Sequence, residues 1–138
     1  MSTLIRNLLA IPMGLVAGSA INMTLVVLSP LVIAPPAGVA VGDAQSLAAS
    51  MHLFAPRHFV MPFLAHALGT LAGALATTLF AASHKAPMAY AVGAIFLGGG
   101  VAMSMMIPAP GWFVAIDLLT AYVPMAWAGI WIGRHMQG

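Results

Sequence analysis

Four apolar runs, each long enough to cross a bilayer and each closed by a turn rich in proline, glycine or polar residues, decide what this chain can fold into. A span takes about 20 apolar residues, and the runs over residues 5–29, 58–82, 87–106 and 112–133 all meet that length. Composition removes the soluble alternative: of 138 residues 62% are hydrophobic and 4% charged, where a soluble domain carries roughly a quarter charged. Two acids and four Lys/Arg cannot dress a water-facing surface. The expectation is an all-α polytopic membrane protein, a four-transmembrane-helix bundle forming one domain over 1–138. The pI of 9.7 reflects scarcity of charge rather than a basic patch, so no nucleic-acid partner is implied. Absence of cysteine excludes disulfide exchange, thiolate nucleophiles and Cys-ligated metals.

Taken in order, the opening segment with Arg6 and Gly18-Ser19-Ala20 has the look of a signal peptide, but its apolar run continues through Leu28 and predicts a retained first helix. Gly14, Gly18 and Asn22 recur every four residues on one face of it, and Gly14-xxx-Gly18 allows a neighbouring backbone to come close. That spacing reads as packing within the bundle ahead of homodimerisation. Pro30 is expected to end the helix, and Pro35-Pro36 keeps the chain extended. Asp43 reads as the N-cap of a short amphipathic helix over residues 44–54, lying on the membrane or folded over the mouth of the bundle. Arg6, Lys85 and Arg134 fall at one end and Arg57 alone at the other, so the positive-inside rule places both termini in the cytoplasm.

The residues that point to a site are the polar ones inside the apolar runs. In the second run His66, Gly69, Thr70, Gly73 and Thr77 share a stripe at helical spacing, while the other side is Leu, Ala and Phe. The third supplies a small face through Gly93, Gly100 and Ser104. In the fourth, Asp117, Thr120, Ala121, Pro124 and Ala128 align. At 1.5 Å per residue, Asn22 and His66 lie about 12 Å, and Asp117 about 8 Å, below the outer ends of their helices. An isolated charge at Asp117 costs about 2.5–3.5 kcal/mol on insertion scales, so it needs a partner, and an imidazole is the obvious one. These levels predict an Asn22–His66–Asp117 hydrogen-bonded cluster, with Thr70 beside it and His58 extending it toward the outer mouth. Gly14, Gly18, Gly69, Gly73 and Gly100 are expected to carry helix packing. Tyr122, nearly opposite Asp117 around a continuous helix, is expected to pack or to face lipid. The bland alternative for the cluster is polar glue; interhelical hydrogen bonds average about 0.6 kcal/mol, which makes a buried acid an odd choice for that purpose. His52, His84 and His135 lie in turns or at helix ends and read as solvated.

Eleven methionines raise a Cu(I) site, since Met23, Met61, Met103, Met105 and Met106 fall near the level of His66; methionine standing in for leucine is the simpler reading. A macrocycle on His66, with Gly69 and Gly73 giving it room, is the other cofactor considered, and the expectation is no cofactor. Nucleotide-binding, serine-hydrolase and zinc-protease signatures are missing, and Ser104 is the one weak nucleophile near the cluster.

At PFLAHALGTLAGA (Pro62–Ala74) and PAPGWFVAIDLLTAYVPMAWAG (Pro108–Gly129) the sequence resembles a group of small, uncharacterised bacterial four-span membrane proteins, across the whole chain. The resemblance implies a compact standalone bundle and assigns no activity to any residue. Three functions fit the sequence. The first is a non-enzymatic bundle, either an accessory subunit of an oligomer or larger membrane complex or a binder of lipid or a small ligand. The second is a small proton-linked channel or transporter gated by His66 and Asp117. The third is an intramembrane enzyme acting on a lipid or quinone-like substrate. Four short spans without internal duplication favour the first.

Overall fold

The computed structural model describes residues 1–138 and is all-helical, with four helices long and apolar enough to cross a membrane: Thr3–Val32, Pro56–Phe80, Lys85–Met106 and Gly111–Met136. The protein is therefore a multi-pass membrane protein. Its helices are α1 (Thr3–Val32), α2 (Ala44–Ser50), α3 (Val60–Phe80), α4 (Lys85–Met106), α5 (Gly111–Thr120) and α6 (Val123–Met136). One-turn 3₁₀ segments at Met51–Leu53 and Pro56–Phe59 join α2 to α3.

Three boundaries depart from the sequence reading, the first being the short helix expected over residues 44–54, which ends at Ser50 and tightens into a 3₁₀ turn. Pro30 does not stop α1, which runs on to Val32, with the Ile33 N–H bonded to the Ser29 carbonyl at 2.9 Å. A proline costs one hydrogen bond in a long helix, and neighbours within the membrane tolerate the loss. The fourth span is not one helix but two, α5 and α6, separated at Ala121 and Tyr122. Pro124 is the cause: it has no N–H to offer, and its ring clashes with the carbonyl four residues earlier, so the chain restarts with Pro124 in the first turn of α6.

Helix α3 sits at the centre, packed against α1, α4 and α6. Antiparallel to it, α1 brings glycine onto glycine. A Cβ on Gly14 would lie 2.7 Å from the Gly73 carbonyl, and one on Gly18 would lie 2.6 Å from that of Gly69. The converse distances, Gly69 to the Gly18 carbonyl and Gly73 to the Gly14 carbonyl, are 3.0 and 2.9 Å. Only hydrogen fits on either side. Thr77 Oγ1 extends the seam, donating to the Gly73 carbonyl at 2.9 Å and reaching the Ala10 carbonyl of α1 at 3.3 Å. On the other flank Ala74, Ala89, Ala126 and Ile130 tie α3, α4 and α6 together. Val92 and three threonines are the largest fully buried side chains, while Leu8, Val16, Leu31, Leu119 and Trp127 face outward. Lipid tails are as apolar as leucine, so burying large side chains gains little here and close backbone approach holds the helices instead.

Each end of the bundle is closed differently. Where the termini meet, Asn7 clamps the turn after α3: its Oδ1 accepts from the Ala82 and Ser83 N–H groups at 3.0 and 3.1 Å, and its Nδ2 donates to Ser83 Oγ at 2.7 Å. Arg6 Nε donates to the Phe80 carbonyl at 3.0 Å, a cation on a helix C-terminus. Gln137 donates to the Leu79 carbonyl and accepts from Lys85, which brings the end of α6 into the same knot. At the opposite end the loop between α1 and α3 folds back over the mouth. Asp43 caps α2 as expected, its carboxylate accepting from the Ser46 N–H at 2.7 Å. Met51, Phe59 and Phe113 then form a buried cluster with Leu47, Phe54 and Phe63 against it. Of the two placements considered for this segment, the cap over the bundle is the one the fold adopts.

Candidate functional site

His66 and Asp117, 51 positions apart, meet inside the bundle. His66 Nδ1 lies 2.9 and 3.0 Å from the two Asp117 carboxylate oxygens. Asp117 is buried, and the His66 side chain is a quarter exposed. Local structure places each: the second turn of α3 turns His66 toward α5, and Asp117, seven residues into α5, faces back. With Asp117 as a carboxylate, which only accepts, Nδ1 carries the shared proton, and Nε2 is the atom left for other chemistry.

A third member of this cluster escaped the sequence reading. Tyr122 Oη donates to Asp117 Oδ2 at 3.2 Å, and its ring stacks on His66 with centroids 5.9 Å apart and planes 27° from parallel. In an unbroken helix, positions five apart are about 140° from one another around the axis, which is why Tyr122 was expected to pack elsewhere or meet lipid. The α5–α6 break removes that separation and returns Tyr122 to the side of Asp117. The signal in the sequence was Pro124, which lay on the polar stripe without being read as a break. Gly100 makes the fit feasible: a Cβ there would lie 2.6 Å from Tyr122 Cζ.

Asn22 does not join the cluster as expected. It makes no hydrogen bond to His66 or Asp117, and its Cβ packs over Gly69, 3.0 Å from where a Cβ on that glycine would sit. Glycine-to-glycine contact holds α1 so close to α3 that Asn22 is spent on the seam, and Tyr122 takes the third place. Thr70 Oγ1 donates to the His66 carbonyl at 2.8 Å and so satisfies its own helix rather than the dyad. Gly14, Gly18, Gly69, Gly73 and Gly100 all carry close contacts. Gly69 and Gly73 are filled by α1, so they leave no space for a macrocycle. The methionines do not converge either: Met23, Met105 and Met106 are exposed, Met61 is buried apart from the cavity, and Met103 alone of the five borders it.

The dyad opens onto space. A cavity of about 230 Å³ lies between α1, α3, α4 and α5 beneath the folded-back loop, with Met51, Phe54, Phe59, Met103 and Phe113 among its walls and His66 and Asp117 at its inner end. A second cavity of about 200 Å³, bordered by Asn22, Thr70, Gly99 and Tyr122, shares His66, Gly100 and Met103 with the first. His66 thus stands between an apolar chamber and a more polar one. Comparison of the chain with protein-family models, with curated proteins and with solved structures gives no match. The geometry of these residues is therefore what carries the functional argument.

His66 Nε2 makes no hydrogen bond within the protein and is not enclosed, since the single buried side-chain nitrogen or oxygen lacking a partner is His58 Nε2. His58 borders the apolar cavity at its lid end, eight residues before His66. Its Nδ1 accepts the Ala55 N–H at 2.8 Å, and Phe54 packs edge-on to its ring at 5.3 Å. Leaving such a nitrogen unpaired costs about 1–3 kcal/mol. Ser104 also borders this cavity, but its hydroxyl proton goes to the Val101 carbonyl at 2.7 Å. That bond leaves it poorly set up as a nucleophile. The arrangement can accept or donate a hydrogen bond at His66 and hold a proton between imidazole, carboxylate and phenol.

Proposed function

We propose that this is a small bacterial inner-membrane protein, both termini cytoplasmic, that holds a lipid or lipid-like small molecule in the cavity beneath its outer-loop lid. The observation that carries this reading is the asymmetry of His66. One ring nitrogen is fixed by Asp117, and the other is unpartnered at the inner end of a 230 Å³ apolar chamber. Polar glue would use both partners and needs no cavity. An apolar body in the chamber with one polar group on His66 Nε2 follows the usual make-up of a small-molecule site, mostly apolar with few placed polar groups. The orientation rests on Arg6, Lys85 and Arg134 at the terminal end against Arg57 at the lid end.

A second reading draws on the polar cavity. With His66 bordering both chambers and Asn22, Thr70 and Tyr122 on the far side, a proton could reach the ligand through the imidazole, which is the core of a proton-linked carrier. Proton uptake by proteoliposomes that depends on His66 would favour it over simple binding.

The test of the primary reading is purification in a mild detergent followed by mass spectrometry of co-purifying small molecules. An apolar compound should accompany the unmodified protein at near-stoichiometric yield and bind about 2–10-fold more weakly to a folded His66→Leu variant, with correspondingly lower recovery, the loss expected for one polar contact. Equal recovery from both would end the reading.

A further inference from the structure

Charge and hydrogen-bond capacity narrow what the two cavities accept. Asp117 is the one formal charge bordering either of them. No Lys or Arg lines them, and Arg57, at the lid end, is exposed and borders neither. With a neutral His66 and the Tyr122 hydroxyl both donating to it, the carboxylate keeps its negative charge inside the membrane, where an uncompensated charge is costly. Two polar groups stay open at the more polar cavity. His66 Nε2 presents a lone pair. Asn22 packs its Cβ on the α1–α3 seam, but its carboxamide makes no hydrogen bond in the protein. Neither group is enclosed, since the buried unpartnered atom of this chain is His58 Nε2 alone. Thr70 and Tyr122 border the same space, but both are buried and their hydroxyl protons are engaged by the His66 carbonyl and Asp117. The open acceptors are thus His66 Nε2 and Asn22 Oδ1, and the open donor is Asn22 Nδ2. Phe96 and Met103 complete the wall with an aromatic ring, which attracts cations, and a weakly accepting thioether.

We infer that the ligand is an apolar amine in its protonated form, its body in the lid-end chamber and its ammonium group in the polar one, donating to His66 Nε2 and Asn22 Oδ1. The inference rests on the cavity-binding reading above and adds the chemical class of the ligand's polar end. His66, Gly100 and Met103 border both cavities, so one molecule can run from the first into the second. An ammonium supplies protons to both acceptors and sets a positive charge across the imidazole from Asp117. A hydroxyl supplies one proton and no charge. A carboxylate or phosphate meets Asp117 with no cation to balance it. The source of the amine is either a lipid headgroup or a free lipophilic amine.

The experiment places the full chain, with ¹⁵N-labelled histidine, in phosphatidylcholine nanodiscs at about pH 8, where an imidazole is ordinarily neutral and an alkylammonium charged. Phenylbutylamine, phenylbutanol and phenylbutyrate share one skeleton and differ at the polar end; their binding is measured against protein-free discs. The amine should bind about 5–10-fold more tightly than the alcohol, the usual gain of a charged over a neutral hydrogen bond, with the carboxylate weakest. It should also move the His66 Nε2 resonance upfield, as a lone pair that accepts a proton donor does. Asn22→Leu should weaken the amine roughly 2–10-fold. Asp117→Asn, the same size without the charge, should bring amine and alcohol level. Alcohol or carboxylate binding as tightly as the amine overturns the inference and leaves the cavity reading standing. An amine preference without a His66 shift, or one that survives both Asn22→Leu and Asp117→Asn, also overturns it, because the ammonium then sits elsewhere. Binding of none of the three removes the cavity reading and this inference with it. The ranking and the His66 shift of the unmodified chain decide the matter even if neither variant folds. An upfield His66 signal in phosphatidylethanolamine discs without any probe identifies the lipid headgroup as the source of the amine; a shift that requires phenylbutylamine identifies a free one.

Discussion

Asp117 and His66 were legible as a pair because each is expensive alone in an apolar run, and their depths agreed. Cost identifies which polar residues need partners, but it does not identify every partner. Asn22 lay at the right depth and was taken up by the glycine seam, while Tyr122, which is cheap to bury and was written off by helical phase, completes the triad. The orienting role of the carboxylate is open to measurement. In the unmodified protein His66 should show the Nδ1–H form by histidine ¹⁵N shifts. Asp117→Leu, which removes the acceptor, should move the population toward the Nε2–H form that predominates in water. An unchanged tautomer would mean that Asp117 does not set the direction of the ring.

Among the elements, the α1–α3 seam and the break between α5 and α6 do the positioning. Gly14-xxx-Gly18 and Gly69-xxx-Gly73 were readable as close-approach motifs, and they face each other across an antiparallel pair. The position of α1 against α3 is thus set by backbone contact rather than by side-chain size. Gly14→Ala places a methyl against the Gly73 carbonyl and Thr77, so it should destabilise the fold by about 1–3 kcal/mol, the usual range for overpacking. Gly98→Ala, where a Cβ meets nothing within 4 Å, should be close to neutral. Unfolding in mixed micelles with increasing dodecyl sulfate measures both, and equal effects would show that the seam does not hold α1 in place. The break at Ala121 and Tyr122 was misread, as was the passage of α1 through Pro30. Proline inside a membrane helix can be carried without interruption, as Pro12 and Pro30 are in α1, and local sequence does not separate that case from Pro124.

For the whole molecule, the two ends are built for different tasks. The terminal end is locked by Asn7, Arg6 and Gln137, which satisfy backbone groups that have no helical partner. The lid end is closed by side-chain packing alone, through Met51, Phe59 and Phe113. An entrance belongs at the end that can open without breaking backbone hydrogen bonds, and the apolar cavity lies there. Orientation is checked with single cysteines in this cysteine-free chain. A cysteine at Gly38, in the lid-end loop, should react with an impermeant maleimide added to intact cells, and one at Gln137 should react only after the membrane is opened. The reverse pattern would invert the assignment and put the cavity on the cytoplasmic side.

The sequence alone determined the solvent, the number of spans, the capping of α2 by Asp43 and the two side chains that had to find each other, because apolar length and the cost of buried charge are local properties. Only the tertiary structure decided that Tyr122 rather than Asn22 completes the cluster, that Gly69 and Gly73 are occupied by α1, and that His58 keeps a buried ring nitrogen unpaired. Those outcomes depend on how closely two backbones approach and where one helix breaks. Both are settled between helices, where no single stretch of sequence holds the answer.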